Sequence, residues 1–171
     1  MAVFSIDFDG VLVRQDRAYD DLTTPLEFVV DPITGFTSRD GLRALRLAGH
    51  VLVLSSCRAN RSLLIDPNLD PLVRAGVRRV PGDWQKRRDL NQRRLAQMLA
   101  FVQAECAGLF DAIDDGASGK VIADHYLDDR GLRLGGGPGG LSWGTIARLY
   151  GETLLRPAAT TQEGNPSTTP D

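Results

Sequence analysis

His50-Val51-Leu52-Val53-Leu54-Ser55-Ser56-Cys57-Arg58 is the stretch on which the fold turns. Four consecutive aliphatic residues leave no polar face. That is the pattern of a strand buried on both sides, and such strands belong to parallel sheets covered by helices. Upstream, residues 2–8 (AVFSIDF) read as a first apolar strand that stops at the turn signal Asp9-Gly10. Between the two strands, Ser38-Arg39-Asp40 opens a helix whose apolar positions are Leu42, Leu45 and Leu47, and Gly49 ends it. Strand, long connection with a helix, strand is the order of a parallel α/β unit.

Further along, a short helix over residues 71–75 closes at Gly76, and residues 77–80 read as a third strand. A long helix is expected over residues 84–110, with Leu90, Leu95, Met98, Leu99 and Val102 as its apolar stripe and Arg87, Arg88, Arg93 and Arg94 on a solvated face. Residues 114–119 form a turn-rich loop, and residues 124–130 (DHYLDDR) a short strand ending in two acids. Ser142 caps a last helix running to about residue 155. The glycine-rich stretch at 135–140 lacks the spacing of a phosphate-cradling loop and reads as a connection. Residues 156–171 are rich in Thr, Pro and Ser and are expected to be disordered, which leaves one domain over residues 1–155.

Composition narrows the function classes. The chain has 171 residues, 42% of them hydrophobic and 25% charged, enough for one ordinary core. A net charge of -2 argues against an extended polyanion-binding surface and leaves at most a local basic patch for nucleic acid. No apolar run has the length of a membrane span, and Asp7 and Asp9 interrupt the segment where a signal peptide would be apolar. Cys57 and Cys106 are too few for a disulfide framework. The expectation is a cytoplasmic domain with no membrane partner. Eighteen arginines accompany only two lysines, Lys86 and Lys120, so each lysine is the more informative.

Asp7 and Asp9 are the sharpest local feature. Carboxylates at i and i+2 of a strand end point to one side, where they repel unless a proton or a cation is shared. Mg2+ suits such oxygen ligands and keeps positions open for phosphate oxygens. Ser55 and Ser56 end the second strand, at the edge where parallel sheets collect ligands, and serve equally well as turn caps. Asp128 and Asp129 end another strand-like segment, and Lys120 lies eight residues before Asp128. Acidic pair, hydroxyl, lysine and acidic pair, each at or near a strand end, describe a Mg2+-assisted phosphoryl-transfer site. His125 within the last strand reads as packed, and His50 lies at the far end of the second strand with no expected role.

These segments resemble the haloacid dehalogenase (HAD) superfamily. FSIDFDGVLV (residues 4–13) resembles its first motif, DxDG[TV], and VLVLSSCR (residues 51–58) its second, an apolar strand ending in Ser or Thr. GKVIADHYLDDR (residues 119–130) resembles the K-P-x-A-D-x-Y-[IL]-D-D-R stretch of small HAD-like phosphatases, with Val121 in place of the proline. Trp143 and the helix after it fit the ending of such proteins. The resemblance covers roughly residues 2–155 and implies a Rossmann-like three-layer sandwich with a mostly parallel sheet and no substantial cap.

It further implies that Asp7 is a nucleophile forming an aspartyl-phosphate and that Asp9 is the general acid and base. Ser56, with Ser55 as the fallback, Lys120 and Gly10 would bind phosphate. Mg2+ would be held by Asp7, the Asp9 carbonyl and Asp128, with Asp129 assisting. The implied activity is a Mg2+-dependent phosphatase on a small or exposed phosphorylated substrate. A receiver-like phosphoacceptor domain is disfavoured because the middle strand ends in Val53-Leu54-Ser55 with no Asp. A non-catalytic binding or assembly module on the same fold is the alternative.

Overall fold

The computed structural model describes residues 1–15, 18, 20–32, 34–59, 70–80, 82–114, 121–128 and 142–151. Four strands form one sheet in the order β3-β2-β1-β4: β1 (Val3–Asp7), β2 (Val51–Ser55), β3 (Ala112–Ile113) and β4 (His125–Leu127). All three pairings are parallel. With helices α1 (Ser38–Leu47), α2 (Pro71–Arg74), α3 (Trp84–Glu105) and α4 (Trp143–Tyr150), this is an α/β fold. Among the described residues no helix is long and apolar enough to cross a membrane.

β1 is the centre of the molecule. Phe4 and Ile6 are fully buried and Ser5 nearly so, because helices and loops cover both of its faces. Leu52 and Leu54 of β2 stand beside them, and Leu127 of β4 is paired with Ile6. α1 and α4 then pack on one another through small residues. A Cβ on Gly41 would collide with the Trp143 ring, and one on Gly151 would meet Ala44 Cβ at 2.8 Å. That close approach buries Trp143, Ile146, Ala44 and Leu45 together.

The structure corrects several local expectations. Thr37, not Ser38, caps α1, in a reciprocal capping box with Asp40. Ser38 is instead buried and donates to the Leu12 carbonyl at 2.6 Å. Leu47 faces solvent at 65% exposure. Residues 77–80 are not a strand, and Val77 is 75% exposed. The edge beside β2 is taken by β3, whose two residues are too few to stand out in the sequence. The long helix stops at Glu105, about a turn before residue 110, and α4 closes at Tyr150 with Gly151 as its cap. The glycine-rich stretch and the tail fall outside the described residues.

The buried row of α3 is Asn91, Arg94, Met98 and Val102, whereas Leu99 is 41% exposed. These positions are spaced three, four and four apart, so they share one face. The face is apolar at its carboxyl half and polar at its amino half. Met98 and Val102 of the expected stripe lie in this row and Leu95 packs against the core, so the stripe is met in part, with Asn91 and Arg94 as its unexpected polar members.

Candidate active site

Parallel pairing sets the site. Asp7 is paired with Ser55 across β1 and β2, and Ile6 is paired with Leu127 across β1 and β4. Asp128 follows that last pair by one residue, which sets it in the same row as Asp7 and Ser55. Three neighbouring strands thus present a carboxylate, a hydroxyl and a carboxylate at their carboxyl ends, roughly 5 Å from strand to strand. Ligands gather at this edge of open parallel sheets. Lys120 and Asp129 lie outside the described residues.

The turn after β1 is fastened from several directions. Phe8 O accepts from the Leu12 and Val13 amides, and Gly10, at φ +79°, donates its N–H to the Val13 carbonyl at 2.8 Å. A residue with a Cβ rarely adopts that φ, so glycine is required there. The N–H of Gly10, a residue expected to bind phosphate, is engaged within the turn. Trp143 Nε1 donates to the Val11 carbonyl at 2.9 Å while Ser38 takes that of Leu12. Two helices thereby hold the turn that aims Asp7 and Asp9.

Asp7 Oδ1 accepts the Phe8 N–H at 2.7 Å. Asp9 has a different fate: Arg58 Nε and Nη2 reach its two oxygens at 2.8 and 2.5 Å, and Arg94 Nη2 lies at 3.5 Å. Arg58 sits in a 3-10 turn, Cys57–Ala59, directly after β2. Its guanidinium lies 4.8 Å from the centroid of the Phe8 ring and also donates to the Arg94 carbonyl and Gln97 Oε1. Arg58 and Arg94 side chains are 2% and 6% exposed, so the arginine expected on a solvated face is part of the site. Neither role was legible from composition, since arginine is the common cation of this chain. A buried row that includes a charge, as on α3, is the signal that finds Arg94.

The two serines differ in their contacts. Ser55 Oγ donates to Asp114 at 3.2 Å, and Ser56 Oγ accepts the Arg58 N–H at 3.2 Å, so Ser56 caps the 3-10 turn. Cys57 lies within electrostatic reach of Asp7 and Asp9; partial burial, then those two carboxylates, push its thiol above its ordinary value. A thiol held protonated is a poor nucleophile, which leaves Asp7 as the better candidate.

Asp7 and Asp128 are hard oxygen donors on adjacent strand ends, a set suited to Mg2+. Among the described residues no three His, Cys, Asp or Glu side chains gather for a metal. Asp9 is drawn onto Arg58 instead. No family model, curated protein or solved structure matches this chain.

Proposed function

We propose that the protein is a Mg2+-dependent phosphohydrolase of HAD type, built on a Rossmann-like three-layer sandwich with no substantial cap. The observation that carries this reading is the row of Asp7, Ser55 and Asp128 on three neighbouring parallel strand ends. Asp7 and Asp128, with the Asp9 carbonyl and Asp129, would hold Mg2+, and the cation supplies charge that offsets the phosphate oxygens.

The chemistry of the chain itself follows. An Asp7 carboxylate oxygen attacks phosphorus, the bond to the leaving oxygen breaks, and an aspartyl-phosphate forms. Asp9, turning from Arg58, gives its proton to the leaving oxygen. Water then attacks the phosphorus of the acyl phosphate, Asp9 takes the proton of that water, and phosphate departs with Asp7 restored. The Ser55 and Ser56 hydroxyls and Lys120 offset the charge on the phosphoryl oxygens.

One observation favours a second reading, a non-catalytic binding or assembly module: both Asp9 oxygens are engaged by Arg58. A panel of aryl and alkyl phosphates in Mg2+ separates the two. Phosphatase activity that falls by at least about a thousandfold in Asp7→Asn is expected for the enzyme. A folded, Mg2+-replete protein with no turnover across the panel would favour the module instead.

A further inference from the structure

Beside Asp9 the surface opens into a cleft of about 160 Å3 lined by Asp9, Arg14, Gln15, Asp21, Arg58 and Arg94. This is below the roughly 300 Å3 of a pocket for a drug-sized molecule, so it takes one small group. Its described lining carries three guanidinium groups and two carboxylates. Asp21 accepts from the Thr23 and Thr24 hydroxyls and amides, which hold its carboxyl well below the ordinary value and keep it charged. The described lining thus has one more guanidinium than carboxylate, and Glu27, outside it, meets Arg14 only across an exposed contact that a ligand anion can displace. Guanidinium forks match carboxylate and phosphate oxygens in pairs.

Chemistry orients the cleft. The group that Asp9 protonates is the leaving oxygen, so whatever that oxygen is attached to lies on the Asp9 side. Arg58 and Arg94 are buried against Asp9, whereas Arg14 stands at the rim with its side chain 52% exposed and 3.3 Å from Glu27. The geometry points to a leaving-group subsite here: the substrate is a phosphomonoester whose leaving group carries a second anionic group, a carboxylate or a phosphate, that is received by Arg14 and Arg94. This rests on the phosphohydrolase reading and adds the substrate class to it. Plain aryl phosphates then remain substrates, but poor ones.

The test compares 3-phosphooxypropanoate with its neutral amide, which share size and leaving oxygen and differ in one charge. Calorimetric binding to the Asp7→Asn protein in Mg2+ needs no turnover. The carboxylate ester is expected to bind roughly tenfold tighter than the amide, about the effect of one charge-assisted hydrogen bond. Adding Arg14→Gln at the exposed rim is expected to bring the two within about twofold, with amide binding unchanged. Equal affinity of the two esters for the Arg14-containing protein overturns the subsite, as does a preference that survives Arg14→Gln undiminished. Turnover of the amide ester by the wild-type protein is a separate readout. Its absence tells against the phosphohydrolase reading, whereas the binding preference alone decides the cleft.

Discussion

At the amino end of β1, Phe4 lies among the rings of His50, His125 and Tyr150, with centroids 4.7 to 5.3 Å away. At its carboxyl end, Asp7 and Asp9 face Ser55, Arg58 and Arg94. Both ends bury polar atoms, but they do so differently. His50 Nδ1 accepts the Ala2 N–H at 3.0 Å and Nε2 reaches the Tyr150 carbonyl at 3.0 Å, so each ring nitrogen has a backbone partner. The ring ties the residue before β1 to the end of α4. The other end gathers full charges against a cleft. Both histidines are packed among rings at the amino end, whereas the carboxylates gather at the other.

The contrast is broken most forcefully at Arg58. Arg58→Ala leaves Asp9 without its bidentate partner in a mostly dry site, and urea unfolding is expected to show a loss of about 3–5 kcal/mol. Hydrolysis should fall with it, because the unpaired charge loosens the turn that carries Asp7 and Asp9. His50→Ala at the opposite end should cost less, about 1–3 kcal/mol, since it removes hydrogen bonds to neutral backbone groups and leaves a small void. Its kcat should stay within about twofold of wild type, because the ring lies at the far end of the strand. Equal damage to activity from both variants would erase the distinction between the ends.

A smaller effect is expected at the sheet edge, away from both ends of β1. Asp111 accepts the Leu52 N–H at 2.8 Å and pairs with Arg46 at 2.6 Å, tying the segment before β3 to β2 and α1. Those two partners, the amide first, hold its carboxyl below the ordinary value of 3.8. A carboxyl depressed in the folded state adds stability above its unfolded value, and that stability is lost as pH falls through the folded value. Asp111→Asn is therefore expected to cost about 1 kcal/mol at neutral pH, with the difference from wild type shrinking below about pH 4. A difference that grows on acidification would contradict the assignment.

How far the sequence carried these conclusions depends on what each element is made of. β1, β2 and α1 were legible because uninterrupted aliphatic runs and a glycine stop are set by local chemistry. The edge strand β3 was not, since two residues of backbone pairing carry almost no pattern, and the apolar Val77 and Val80 drew the reading to a segment that lies exposed. At the site, spacing marked two acidic pairs, Asp7 with Asp9 and Asp128 with Asp129, the resemblance singled out Asp7 and Asp128, and the register brings those two to adjacent strand ends. Arg58 and Arg94 were missed in their actual roles, because an ion pair between residues 49 or 85 apart leaves no local trace. On α3, Arg94 is buried where it reaches Asp9.

In the proposed reaction Asp7 attacks phosphorus. Wild-type protein, stopped with acid during turnover of an aryl phosphate in Mg2+ and digested, should carry the phosphoryl group on the peptide that contains Asp7, with the acyl linkage reducible by borohydride at that residue. Turnover with the group on Ser56 or Cys57, or on no residue at all, would contradict it.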